Sequence, residues 1–197
     1  MTDPPLAAFT CFAHPLGEVA ACVTATLEAA HTGRAVVSST ASPDCFQLPE
    51  QAHNRAEMAA VVWEPRATLG STIFASNLED GWTSLVHSMT SRFLLTCAEV
   101  RVSALESEWP IVELHCFENG SETRLLRAMK DDPKWEFFER GDPLPFEDPS
   151  FYANRLVRDR FPRQLLYQYL QALGWDPTDA GLWEPNGDIR EIRWAAV

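Results

Sequence analysis

The stretch Ile111-Val112-Glu113-Leu114-His115-Cys116-Phe117-Glu118-Asn119-Gly120-Ser121-Glu122-Thr123-Arg124-Leu125-Leu126-Arg127-Ala128-Met129-Lys130 reads as a β-hairpin. Asn-Gly is the strongest short hairpin signal, because both central residues of a type I′ turn need positive φ. A two-residue turn at Asn119-Gly120 pairs Leu114 with Leu125 and His115 with Arg124. Val112, Leu114, Cys116 and Leu125 then share an inward face, and Glu113, His115 and Arg124 point to the other.

Upstream of the hairpin, residues 95–105 form a further strand, preceded by a helix with Trp82, Leu85, Val86, Met89 and Phe93 on one face and Asn77 or Asp80 as cap. Residues 59–63 and 71–75 are two more strands. The chain opens with a strand over 6–12. A helix entered at His14-Pro15 follows, with Val19, Cys22, Val23, Thr26 and Leu27 at three- and four-residue steps, then Gly33 as its cap and a strand over 35–39. Pro43 and Pro49 make 41–58 a loop. Downstream, 135–139 is a short strand followed by a Pro-rich arm. Two C-terminal helices come next, over 149–160 and from Pro162 to a stop at Gly174, and a late strand over 189–197 ends the chain. The class is α+β: a mostly antiparallel central sheet, helices packed on one face, and two C-terminal helices. We read a single α+β domain over 1–197, with 131–150 as the one place for a subdivision and 150–197 as a C-terminal helical part.

The 197 residues carry 28 Asp and Glu against 16 Lys and Arg, a net charge of -12. Such a field repels nucleic acid and anionic lipid and attracts basic partners. No apolar run approaches the roughly 18 residues of a membrane span. The five cysteines are scattered, and the first basic residue is Arg34, so the expectation is a cytoplasmic protein with reduced thiols and no signal peptide.

No nucleotide-binding glycine loop, nucleophile elbow or paired-histidine zinc helix is present. Cys11-x-x-His14 has ligand-like spacing, but four-coordinate zinc would need Cys22, His31 and Cys45 to complete it. We assign no metal ligand and no cofactor on that basis. His115 and Cys116 are neighbours on a strand and face opposite sides, so they form no dyad. His87 with Cys97 is geometrically open, and His87 reads as a packing histidine. The acid pairs Glu106/Glu108, Glu136/Glu139 and Asp142/Glu147 read as a solvated edge, and no catalytic residue is assigned. Arg155, Arg158, Arg160 and Arg163 read as structural partners of Asp142, Glu147 or Asp148.

The acidic, aromatic segment 131–150 is the candidate binding surface. Trp135, Glu136, Phe138, Glu139, Asp142, Phe146 and Glu147 combine aromatic anchors with a charged rim, the anatomy of a protein interface. The alternative is that the aromatics pin a Pro-rich connection onto the core.

Two stretches carry a resemblance: Asn77-Leu78-Glu79-Asp80-Gly81-Trp82-Thr83-Ser84-Leu85, and Ala128-Met129-Lys130-Asp131-Asp132 with Trp135-Glu136-Phe137-Phe138-Glu139-Arg140-Gly141-Asp142-Pro143-Leu144-Pro145-Phe146-Glu147. Over residues 77–175, half the chain, it resembles the small acidic immunity proteins encoded beside bacterial polymorphic toxins. The resemblance implies a non-catalytic cytosolic protein that occludes the active site of a cognate toxin or effector with a basic surface. Two rivals stand beside it: an adaptor or chaperone-like partner of a secreted effector, and an enzyme with a site around His87, Glu113 and His115.

Overall fold

The computed structural model describes residues 7–29, 33–40, 58–104 and 106–196. The expected loop over 41–58 lies almost entirely outside them, as do His31 and Cys45. Nine strands form one antiparallel sheet: β1 (Ala8–Phe12), β2 (Gly33–Thr40), β3 (Met58–Pro65), β4 (Thr72–Ser76), β5 (Cys97–Val102), β6 (Ile111–Glu118), β7 (Ser121–Asp131), β8 (Lys134–Arg140) and β9 (Pro185–Ala196). Their spatial order is β2-β9-β3-β4-β1-β5-β6-β7-β8. Among the described residues four α-helices accompany them: α1 (Leu16–Ala29), α2 (Thr83–Phe93), α3 (Arg163–Ala172) and the short α4 (Ala180–Trp183). The α+β class and the antiparallel sheet agree with the sequence reading.

Strand alternation separates two buried clusters. Ala60 and Val62 of β3 belong to one, while Val61 and Trp63 belong to the other. The first cluster holds α1 and α2 through Val19, Val23, Leu27, Leu85, Val86 and Met89. The second holds α3 and α4 through Leu165, Leu166, Leu170, Leu182 and Trp183. Helices therefore cover both faces, which corrects the expectation of one. The physical reason is visible in β3, whose run Ala59-Ala60-Val61-Val62-Trp63 is buried throughout. A strand apolar on both sides must be covered on both sides.

The C-terminal part departs from expectation as well. In place of a helix over 149–160 there are two 3-10 turns, Pro149–Ala153 and Val157–Asp159. Asp148 caps the first by accepting from the Ser150 N–H at 3.0 Å. Residues 150–197 are not wholly helical, since β9 inserts between β2 and β3 along its length. Gly33 begins β2 and does not cap α1. Asp80 accepts from the Trp82 N–H one turn before α2, and Asn77 instead accepts from the Ala59 N–H.

The hairpin turn forms as expected, with φ of 49° at Asn119 and 79° at Gly120. Glu118 pairs with Ser121 and Phe117 with Glu122, the predicted register. The register then shifts, so that Cys116 meets Arg124, His115 meets Leu125 and Leu114 meets Leu126. A β-bulge at Thr123 supplies the extra residue. From there on every β7 side chain lies on the opposite face from the one predicted. Arg124 thus enters the face of α3, and Leu125 lies beside His115.

Candidate functional site

The bulge produces two charge networks, one on each face of the same hairpin. On the α3 face, the Arg124 side chain is 1% exposed and that of Glu147 is 0% exposed. Arg124 Nε and Nη2 donate to Glu147 at 2.9 and 2.7 Å, and Nη2 also donates to Glu139 at 2.8 Å. Arg124 Nη1 donates to the Gly141 carbonyl at 2.7 Å. The Tyr152 hydroxyl donates to Glu147 at 2.7 Å, and the Tyr169 hydroxyl accepts from the Asp148 N–H at 2.9 Å. Burial, then the contacts with Tyr169 and Glu147, push the Tyr152 phenol well above its ordinary range. Charges in this network are paired and hydrogen-bonded, as burial requires.

On the α2 face, a second chain runs from α2 across β5 and β6 to β7 and β8. Thr83 Oγ1 donates to Glu99 Oε1 at 2.6 Å, and His87 Nε2 meets Glu99 Oε2 at 2.9 Å. His115 Nδ1 lies 3.7 Å from the same Oε2, and its Nε2 lies 2.7 Å from Glu122 Oε2. Arg140 grips Glu122 from the far side with Nε and Nη2. Phe117 walls the two imidazoles, its ring centroid 4.9 Å from that of His87 and 4.3 Å from that of His115. The side chain of Glu99 is 3% exposed and that of His87 is 38% exposed, so the chain is buried at its root and open at one end.

Protonation follows from these partners. The bond from Glu99 raises the His87 pKa against the opposing effect of burial. Burial lowers the His115 pKa despite its bond with Glu122. Burial alone would raise Glu122, but Arg140 and His115 outweigh it and hold this carboxyl below its ordinary range. An ionised Glu122 only accepts, so His115 donates through Nε2. Neutral His115 then turns the Nδ1 lone pair toward the Glu99 carboxylate. Further along this face, Glu113 lies between Arg101 at 3.9 Å and Arg127 at 3.3 Å.

The seven residues of the expected partner surface divide. Trp135, Glu136, Phe138 and Glu139 lie on β8, an edge strand of the sheet. Phe138 is exposed, with the Arg127 and Arg140 guanidinium groups 5.8 and 5.9 Å from its ring, and Glu136 and Asp142 are exposed. Trp135 is half-buried, and Glu139 bonds Arg124. Phe146 is half-buried against the core and the Glu147 side chain is sealed within it, so a partner does not reach Glu147. Glu147 is held by Arg124 and not by the arginines of the C-terminal segment. Of those, Arg158 pairs with Asp159, Arg160 donates to the Asn154 carbonyl, and Arg163 donates to the Ser103 carbonyl.

The other sequence candidates resolve in the same way. Cys11 belongs to the α3-side cluster and Cys22 to the α1-side cluster, so the sheet separates them. His14 Nε2 accepts from the Thr96 N–H at 3.0 Å, which uses the lone pair a metal would need. Burial pushes the Cys97 and Cys116 thiols up to about 12, far from a reactive thiolate. His87 is a partner of Glu99, not of Cys97. Glu106 and Glu108 are exposed, whereas Glu136 and Glu139 point to opposite faces of β8. Sequence reasoning missed Glu99, Glu122 and Thr83. The available signal was Glu99 itself, a carboxylate within the otherwise buried run Cys97-Ala98-Glu99-Val100.

No family model matches the chain, and no curated protein or solved structure matches it either.

Proposed function

We propose that this protein is a non-catalytic binding protein of the immunity type, which captures a basic partner protein, a toxin or effector, along the β8 edge of its sheet. The observation that carries the reading is Phe138, a large aromatic side chain 43% exposed on an edge strand. Exposed aromatics at a strand edge are natural anchors, and the edge offers unpaired backbone groups to a partner. Exposed acids share this edge at Asp131, Asp132, Glu136 and Asp142, beside Lys134 and the Arg127 and Arg140 guanidinium groups that flank the ring. With the net charge of -12, they favour capture of a positively charged surface. The interface therefore comprises Trp135, Glu136, Phe138, Glu139 and Asp142, while Phe146 and Glu147 support it from behind. Resemblance of residues 77–175 to immunity proteins points the same way, and cytoplasmic residence is part of the same proposal. Among the described residues, no helix is long and apolar enough to cross a membrane.

The enzyme reading has less support. Three clefts, of about 470, 320 and 240 Å³, are lined by none of His87, Glu113 and His115.

The test is affinity capture with the full chain, using the neighbouring gene product as candidate partner, beside the variants Phe138→Asp and Glu136→Lys. The expected result is one stoichiometric partner, toxic or active alone and silenced in the complex, with capture lost in both variants. Absence of a partner at micromolar concentration overturns the reading. So does capture that both variants leave intact, or a partner whose activity survives binding.

A further inference from the structure

We propose that His87, Glu99 and His115 form a binding site for a divalent transition-metal ion of the zinc class. The ligand atoms of these three residues all lie within 4.8 Å of one another. Two imidazole nitrogens and one carboxylate oxygen are a zinc ligand set, with a fourth position left for water. Nitrogen donors select against magnesium and calcium, which take oxygen.

The surroundings are those of a ligand set already oriented. Thr83 holds Glu99 by Oε1, which leaves Oε2 turned to both imidazoles. Glu122 accepts the Nε2 proton of His115, which fixes the tautomer whose Nδ1 lone pair faces the site. Arg140 in turn holds Glu122. A carboxylate accepting from the outer nitrogen of a ligating histidine is the usual outer shell of a zinc site. His115 Nδ1 and Glu99 Oε2 face each other at 3.7 Å, beyond hydrogen-bond distance, and a cation between them would bind both. Tetrahedral zinc places its donor atoms about 3.3 Å apart, from bond lengths near 2.0 Å. The His115–Glu99 separation is close to that value. The His87–Glu99 separation of 2.9 Å widens when His87 Nε2 gives up its proton and turns its lone pair to the metal. That ring is 38% exposed, so it can rotate and it marks the path of entry. Phe117 dries the opposite side.

This inference is independent of the β8 interface, since none of its three ligands lies on that strand. The test uses the full chain stripped with a chelator and titrated with Zn²⁺ and with Co²⁺ alone. The expected result is one ion per chain at micromolar affinity or tighter, the visible d–d bands of tetrahedral Co²⁺, and a raised unfolding midpoint. His87→Ala abolishes the cobalt bands while leaving the fold intact, because this ring is the least buried of the three. Glu122→Gln, which disturbs only the positioning of His115, weakens binding by about 10- to 100-fold. Wild-type protein that shows no cobalt spectrum at millimolar Co²⁺ overturns the proposal. Binding that His87→Ala leaves undiminished also overturns it, since the ion then sits elsewhere.

Discussion

The two faces of the β6–β7 hairpin carry charge in opposite ways. On the α3 side, Arg124 and Glu147 are both sealed, and their bonds are shared with Tyr152, Glu139 and the Gly141 carbonyl. On the α2 side, Glu99 is just as buried, but its chain reaches solvent through His87, and His115 Nδ1 stands 3.7 Å from Glu99 with no hydrogen bond between them. A closed network with every partner supplied specifies structure. An open one with such a gap has room for the proposed ion. Both depend on one inserted residue, because the bulge at Thr123 puts Arg124 on one face while Glu122 stays on the other with His115.

The comparison breaks most visibly at Glu147. Glu147→Ala leaves the buried Arg124 charge with only the half-exposed Glu139 as its counter-charge, and we expect a loss of about 3 kcal/mol in urea unfolding. The corresponding change on the open side, Glu122→Ala, removes a carboxylate paired with the exposed Arg140 and takes the acceptor from the buried His115 N–H, and is expected to cost about 1–2 kcal/mol in the same assay. Equal losses would mean that the two faces do not differ as described.

Gly141 sharpens the closed side. Its φ is 84°, and a Cβ there would lie 2.0 Å from the Thr123 carbonyl oxygen, at the bulge itself. Gly141→Ala is expected to cost about 1–3 kcal/mol from the left-handed backbone alone, with the clash adding to that. A near-neutral thermal shift would show that the loop beside Arg124 yields.

The smallest effect concerns the thiols, where the expectation is no change at all. Cys11, Cys97 and Cys116 are buried with raised pKa values, so iodoacetamide at pH 8 should leave them unmodified in the folded protein and label them after unfolding, as read by peptide mass spectrometry. Labelling of Cys97 in the native state would mean that the core behind the α2-side chain opens.

Much of the architecture was legible in the sequence because it rests on local rules. Asn119-Gly120 makes its type I′ turn, since few other residue pairs accept two positive φ angles. The spacing of Leu85, Val86 and Met89 marks the buried face of α2, and Leu165, Leu166, Tyr169 and Leu170 mark that of α3, with Gly174 at φ 95° as its stop. Alternation in β8 was equally readable as a pattern, although only the structure shows that Glu136 and Phe138 are on its exposed side.

What remained hidden depends on residues far apart in the chain. No local rule sets a bulge at Thr123, and a shift of one residue reverses the face of every side chain after it. Arg124 therefore read as a surface residue until its partner 23 positions away was in view. Glu147 read as part of a binding rim because its burial comes from Arg124, Tyr152 and the arm folding back over the sheet. His87, Glu99 and His115 come together only because α2 crosses β5, and β5 pairs with β6 so that Glu99 opposes His115. Hydrophobic spacing and turn chemistry act over a few residues, so the sequence by itself determined the elements and their apolar faces. Pairing register and the meeting of distant charges are properties of the packed chain, and only the tertiary structure decided which polar groups were sealed and which stayed open to a ligand.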